Sequence, residues 1–524
     1  MTEKDETDAL CGNTAGAVSD NAPETAGTAQ TGDSSYDHIL KYTGLLGGVQ
    51  VISVLISVVR NKIAALLIGA AGMGLSDLYM RFIDLMGSMT NFGITLSAVP
   101  RMSELHERGA GRALGHYVRL VRTWVLLTAL LGLAATLAAA PLVCRLATGS
   151  YADTGYFCLL APAVAMSTVL AGELAVLKGL RRLRRLAAVS TLCAVLTLAV
   201  TVTFYLLMGI RGIAPAILIS SAGLLWLHLR ASTRLVPYRV SPRSPRFVRQ
   251  GFHLIRLGSA YIVAGIITSG AEMLIRSGIV RADGMTAAGF YAVGFTLTVS
   301  YARLIFVAMD ADYFPRLSAV VKDTPMMRET ANRQIDVLVL LMAPVLILFA
   351  LSLPLVVRLL YTPEFLTVIP MVLCAACYMY FKAVCYPVAY LSLAAGDALL
   401  YMTMEVAYDV AFVVFVLGGY HIGGLAGAGV GLSLSNLFDL LLVSTVYSRR
   451  YGFRYGGATL RRCGVQFLLL AAGLLAASSA DLLPRLVAGT AVFILSAAYS
   501  WRIMSRESTV FSRLADRLRR GKKN

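Results

Sequence analysis

Residues 58–82 read VVRNKIAALLIGAAGMGLSDLYMRF, and two cations, Arg60 and Lys62, interrupt an apolar run that begins near Tyr42. No strand-like alternation breaks this run. It is long enough to cross the ~30 Å hydrocarbon core of a bilayer as a helix of ~20 residues. The rest of the chain repeats the pattern. Its 524 residues are 57% hydrophobic and only 15% charged, with a mean hydropathy of +0.70. A soluble globular protein is far less apolar, so the sequence is that of a polytopic membrane protein.

Fourteen apolar segments follow one another, each ended by charge, Gly or Pro: 42–69, 75–99, 118–143, 157–177, 186–208, 213–229, 257–279, 287–314, 335–357, 368–394, 398–418, 422–446, 464–480 and 484–501. Unpaired backbone groups are not tolerated in lipid, so segments of this length must be helices. The predicted fold is therefore an all-α integral membrane bundle of about 14 transmembrane helices. Residues 1–40 are acidic, small and polar, and read as a disordered tail. They lack the basic start and apolar centre of a signal peptide, so the first span is expected to be retained. The cysteines lie mostly in apolar segments and read as packing residues. Cys374 and Cys377 form a CxxC with no second ligand pair, so no metal and no cofactor is expected.

Lys and Arg alternate sharply between the two sets of connections. Clusters such as Arg181, Arg182, Arg184 and Arg185, or Arg449, Arg450 and Arg454, fall on the side of both termini; Arg145, Arg211, Arg281, Arg358 and Arg485 fall on the other. This asymmetry predicts cytoplasmic N and C termini. The net charge of +18 is then a topology signal and a contact with anionic lipid headgroups, and no nucleic-acid partner is expected.

Six cations lie within spans: Arg60, Lys62, Arg81, Arg276, Arg303 and Lys382. Burying each costs at least ~2.5 kcal/mol, which implies a wet cavity or a partner, with snorkelling as the alternative near span ends. Arg276 stands near the outer end of its helix and fits either reading. Lys62 lies roughly 200° around the helix from Arg60, so the two do not share a narrow face. Intramembrane carboxylates also occur, at Asp84, Glu173, Glu272, Asp310, Asp312, Asp397, Glu405, Asp409 and Asp439. Arg81 with Asp84, and Glu272 with Arg276, have the spacing of ion pairs on one helix face. Glu405 and Asp409 have the same spacing and the same sign, which suits a proton or cation coupling site, with simple hydration at the inner end of the span as the alternative. Asp310 is a third candidate for that role.

An internal repeat orders the spans. GMGLSDLY (Gly72–Tyr79) matches GMTAAGFY (Gly284–Tyr291) at an offset of 212, and VPRMSEL (Val99–Leu105) matches FPRLSAV (Phe314–Val320) at 215. Six spans separate the copies, so the two halves are predicted to be six-helix lobes related by a pseudo-two-fold axis along the membrane normal. The implied organisation is an N-lobe over 41–235, a basic linker over 236–256, a C-lobe over 257–447, two further helices within 463–502 and a basic tail over 503–524.

The stretch KYTGLLGGVQVISVLISVVRNKIAALLIGAAGMGLSDLYMRFIDLMGSMTNFGITLSAVPRMSEL (residues 41–105) resembles the start of bacterial Wzx-type oligosaccharide flippases of the polysaccharide transporter group. That group belongs to the superfamily that also holds lipid II flippases and multidrug and toxin extruders. The resemblance implies translocation of an undecaprenyl-pyrophosphate-linked oligosaccharide, such as an O-antigen unit, across the bacterial inner membrane by alternating access. It also implies the polysaccharide polymerase machinery as a partner beside the membrane lipids, while the two-lobed organisation makes a monomer the default expectation. Under this reading, a cationic cavity lined by Arg60, Lys62, Arg81 and Arg303, with Arg276 and Lys382, receives the pyrophosphate. The seventh span departs from a copy of the first, because Glu272 offsets Arg276. The last two helices are, by analogy, a groove for the polyprenyl tail.

Two transport alternatives keep the same fold: an ion-coupled small-solute or multidrug antiporter, and a lipid II flippase. An enzyme is disfavoured, since the outer connections are short and no GxxxxGK[ST] loop is present.

Overall fold

The computed structural model describes the backbone of residues 31–241, 245–300, 303–479 and 481–507, and their side chains except at 31–51, 95–96, 183, 245–261, 300, 303–305, 307–312 and 507. Residues 1–48 and 49–524 form separate units. In the first unit the described backbone is helical from Thr31 onward. The tail expected to lack structure thus lies outside the described residues up to residue 30, and 31–40 is helix. Every described side chain belongs to the second unit.

Every described element is helical: α1 (Thr31–Asn91), α2 (Ile94–Glu107), α3 (Gly111–Thr148), α4 (Thr154–Leu159), α5 (Ala161–Gly179), α6 (Leu183–Met208), α7 (Ile213–Thr233), α8 (Pro245–Phe295), α9 (Arg303–Val320), α10 (Thr324–Leu360), α11 (Ile369–Ala394), α12 (Ala398–Tyr451), α13 (Gly457–Ala477) and α14 (Leu482–Glu507). Ten stretches among the described residues are long and apolar enough to cross a membrane. Large apolar side chains stay exposed on them, among them Leu207, Ile422, Leu475 and Leu483, as a lipid-facing surface requires. The protein is a multi-pass membrane protein.

Four of the ten stretches are broken internally at a glycine of positive φ. The breaks fall at Gly69 in α1, at the 3-10 turn Gly209–Gly212 between α6 and α7, at Gly284 in α8, and at Gly423 and Gly424 in α12. The arms of α12 fold back on each other: a Cβ on Gly427 would lie 2.0 Å from the Gly419 carbonyl oxygen, and one on Gly431 would lie 2.2 Å from that of Phe415. Such contact needs small residues, which is how helices pack closely where lipid supplies no hydrophobic drive.

The breaks reveal the repeat in the backbone. Gly69 (φ 61°, ψ −169°) and Gly284 (φ 80°, ψ −175°) are 215 residues apart and share a conformation open only to glycine. Gly209 (φ 58°, ψ −134°) and Gly424 (φ 57°, ψ −140°) are also 215 apart, as are Pro100 and Pro315 inside α2 and α9. The offset of 212 for the first sequence match is therefore three residues out of register. The turn glycine that corresponds to Gly284 is Gly69, and Gly72 lies inside the helix after that turn.

The arms beyond these two turns cross at backbone contact. A Cβ on Gly74 would meet the Met285 carbonyl oxygen at 2.3 Å, and one on Gly289 would meet that of Ala70 at 1.9 Å. Neither obstacle is a flexible side chain, so Gly289→Ala is expected to cost about 1–3 kcal/mol through forced separation of the arms. Thermal unfolding of the purified protein in one detergent checks this: Gly289→Ala lowers the midpoint by several degrees, while Gly265→Ala, which adds a Cβ in open space, does not.

Candidate functional site

The crossing of α1 and α8 is reinforced by charge. Arg276 is 1% exposed, and its Nε donates to Asp77 Oδ2 at 2.5 Å. Its Nη1 donates to the Glu272 carbonyl oxygen at 3.0 Å, and its guanidinium lies over the rings of Tyr291 and Phe295 at 5.7 and 5.2 Å. Asp77 also lies 3.5 Å from Arg81 Nε; Arg81 Nη1 is 3.1 Å from Asp84 Oδ2 and 2.7 Å from Glu272 Oε2. The last contact is close in distance, but no N–H is aligned on that oxygen, so it is an ion pair without a hydrogen bond. Both helix-face pairs expected from spacing are present, Glu272–Arg276 as a loose contact of 3.9 Å, and Asp77 welds them into one network across two helices. Arg276 is thus partnered inside the protein and does not snorkel.

Beside this network lies a cavity of about 630 Å³. Arg81 is its contribution from α1; Thr268, Glu272 and Phe295 come from α8, and the rest from the π-helical turn Thr296–Ser300, α9, α11 and α12. Lys382 projects from α11 with its Nζ 5.0 Å from the centre of the Tyr408 ring, 5.9 Å from that of Tyr386 and 3.9 Å from Asp439 Oδ2. Asp409 accepts from Thr268 Oγ1 at 2.7 Å, and Asp439 contacts Cys385 Sγ at 3.5 Å. Glu405 makes no hydrogen bond or ion pair among the described residues and lines the same cavity as Lys382. Six tyrosines complete the wall: Tyr378, Tyr386, Tyr390, Tyr401, Tyr408 and Tyr447. Tyr378 and Tyr408 hydroxyls meet at 3.2 Å, and Asn436 Nδ2 donates to Tyr408 at 3.4 Å while its own Oδ1 is buried with no hydrogen-bond partner.

Of the residues singled out in the sequence, Arg81, Glu272, Lys382, Glu405, Asp409 and Asp439 come together in this cavity, with Arg276 directly behind it. Arg60 and Lys62 do not line it. Lys62 Nζ donates to the carbonyl oxygens of Arg358, at 2.8 Å, and of Tyr361, so it caps the C-terminal end of α10, where unsatisfied carbonyls and the helix dipole favour a cation. Arg60 is half-buried on α1. The side chains of Arg303 and Asp310 lie outside those described, as does that of Asp312. Cys374 and Cys377 are free thiols.

The charge inventory differs from a purely cationic lining. Among the described residues two cations, Arg81 and Lys382, face four carboxylates, Glu272, Glu405, Asp409 and Asp439. Asp77 is the functional candidate that sequence reasoning passed over, and Asp439 stood there only as an intramembrane carboxylate with no role assigned. Asp77 stands four residues before Arg81, a helix-face spacing that could have marked it. Removing one partner of a buried pair strands the other charge. Asp77→Asn is accordingly expected to destabilise by about 3 kcal/mol, seen as a lower unfolding temperature in detergent. Asp84→Asn, whose partner Arg81 keeps other carboxylates, is expected to leave that temperature nearly unchanged.

Comparison with known proteins adds to the geometry. A family model described as polysaccharide biosynthesis protein matches residues 63–370. Among curated proteins none matches the sequence. Among solved structures, the lipid II flippase MurJ in an inward closed conformation aligns with a TM-score of 0.62 at 14% identity, over 88% of this chain and 99% of that one. An inward-facing multidrug resistance transporter of the MATE family, in the MOP superfamily, aligns at 0.59 and 15%, over 77% and 94%. A MOP superfamily transporter from Pyrococcus furiosus, described as having a binding pocket of reverse polarity, aligns at 0.56 and 15%, over 79% and 96%. At these identities the likeness establishes a shared fold. With the family model spanning more than half of its length, the chain belongs to the polysaccharide biosynthesis protein family and carries the helical fold seen in MOP-superfamily transporters.

Proposed function

We propose that this protein is a flippase that moves a polyprenyl-pyrophosphate-linked oligosaccharide across the bacterial inner membrane. The observation that carries the reading is a membrane-embedded cavity, in a polysaccharide-biosynthesis chain, where two cations stand among six tyrosines. Arg81 and Lys382 supply charge-assisted hydrogen bonds to the pyrophosphate. Tyrosines combine an apolar ring face with a polar hydroxyl, a surface suited to sugars. The lipid tail stays outside in the bilayer, along α13 and α14.

In this reading each arm of the four broken stretches crosses the membrane once, which gives fourteen crossings with both termini in the cytoplasm. The two halves related by the 215-residue repeat act as lobes that rock about the cavity. Arg276 and Asp77 hold the lobes in register, while Arg60 and Lys62 secure neighbouring helices. The carboxylates give the cavity its exchange chemistry. In the empty state Asp439 and Glu405 balance Lys382, and Glu272 balances Arg81. An arriving pyrophosphate takes over those cations, and the released carboxylates, together with Asp409, bind a proton or metal cation. Cation movement is thereby linked to substrate movement. Membrane lipids surround a monomer that hands its cargo to polysaccharide polymerase machinery.

One observation favours a second reading. Among the described residues carboxylates outnumber cations four to two in the cavity, and carboxylate-rich cavities suit cationic solutes. An ion-coupled antiporter of small cations is therefore the alternative.

The two readings part on Lys382. Lys382→Ala, at equal membrane expression, is expected to cut outer-leaflet labelling of the lipid-linked oligosaccharide by an impermeant glycan-binding probe at least tenfold, with the precursor accumulating inside. Unchanged labelling, together with uptake of a tetraphenylphosphonium-type cation that depends on Asp409, would favour the antiporter.

A further inference from the structure

A second cleft, of about 450 Å³, lies away from the cavity, where the start of α3 meets the segment that leaves α7. Gly111, Arg112, His116 and Arg119 line it from α3, and Val236, Pro237 and Arg239 from the segment. Among the described residues no carboxylate lines it.

The cleft is built by buried groups. Arg122 and Glu173 are 2% and 1% exposed and paired through two contacts of 2.8 Å, and Ser232 Oγ donates to the same carboxylate at 2.5 Å. The remaining guanidinium nitrogen of Arg122 donates to the carbonyl oxygens of Val236 and Pro237, each at 3.0 Å, while its plane lies over the ring of Tyr238 at 4.9 Å. One residue on, Thr123 Oγ1 accepts from the Ser241 backbone N–H at 3.0 Å. The segment is thus fastened to α3 before and after Arg239, which fixes that cation opposite Arg112 and Arg119. Glu173 is spent on Arg122 and neutralises nothing in the cleft.

Three features then point to an anion. Arg112 and Arg239 make no hydrogen bond or ion pair among the described residues. Arg119 Nε is buried with no hydrogen-bond partner, a donor whose cost an acceptor in the cleft would relieve. The first residues of the 38-residue α3 form part of the wall, and no side chain caps its opening N–H groups, which leaves the positive end of the helix dipole there.

We propose that this cleft binds a phosphate-bearing anion, either a free or substrate-borne pyrophosphate or the phosphodiester of an anionic lipid headgroup, as a site distinct from the transport cavity. It stands whether or not the cavity carries a lipid-linked sugar. The anion sits among Arg112, Arg119 and Arg239, on the face that the Lys and Arg distribution assigns to the cytoplasm.

Full-length protein in neutral detergent tests this with labelled inorganic pyrophosphate, and the same protein in zwitterionic nanodiscs tests it with added phosphatidylglycerol. The double variant Arg112→Gln/Arg239→Gln removes two exposed side chains and is not expected to disturb folding; an unchanged unfolding temperature verifies that. Arg108→Gln, on the same face but outside the cleft, is the control. The expected result is binding of at least one probe by the wild type, a loss of tenfold or more in the double variant, and a change of less than twofold in the control. Binding of pyrophosphate assigns the phosphate source to a soluble or substrate group, and binding of phosphatidylglycerol alone assigns it to the lipid surface. Failure of both probes to bind the wild type, or equal weakening by Arg108→Gln, would overturn the proposal.

Discussion

A guanidinium buried at membrane depth has no water to solvate it, and the arrangement around Arg276 answers that constraint. Asp77 reaches it from the arm after one glycine turn, and Glu272 lies on its own helix. Two aromatic rings cover its face. Each partner would be costly to bury alone, so the charges hold one another in place and fix where α1 and α8 cross. The Gly74–Gly289 contact then sets how closely they cross. Charge and close packing act at the same junction. Arg81 belongs to the same network and faces the cavity, so the tie between the two helices is continuous with the cavity wall.

Local periodicity made much of this legible before any fold was known. Apolar length gave the helical class. Spacings of three and four residues paired Arg81 with Asp84 and Glu272 with Arg276, and grouped Glu405 with Asp409. The repeat was visible in GMGLSDLY and GMTAAGFY, although two short matches could not fix its register; the turn glycines Gly69 and Gly284 do so through their backbone angles. What stayed hidden depends on distant partners. Lys62 looked like a cavity cation because its acceptors, the carbonyls of Arg358 and Tyr361, lie about 300 residues away in sequence. Nothing in the chain near Lys62 announces a helix end that needs a cap. Lys382 is likewise placed by α12, whose two arms fold back at Gly423 and Gly424 to bring Tyr408 and Asp439 to it.

The second cleft obeys the same logic with a different outcome. In the cavity, carboxylates answer the cations. Beside α3, the buried carboxylate of Glu173 is consumed by Arg122, and three further guanidiniums face a space with no acid in its wall among the described residues. A membrane protein can thus keep two kinds of cationic site, one balanced internally and one left to an outside anion. Which acids sit nearby, rather than the number of Arg and Lys residues, separates them.

The claim on which the account rests is that a lipid-linked oligosaccharide occupies the tyrosine-lined cavity. Replacing Tyr386 with a photoreactive phenylalanine analogue, illuminating membranes that make the substrate, and resolving adducts by mass tests it most directly. The account predicts an adduct carrying the lipid-linked sugar at Tyr386, and none when the same probe replaces Leu475 on the exposed face of α13. Equal capture at both positions, or no sugar-bearing adduct at Tyr386, would contradict it.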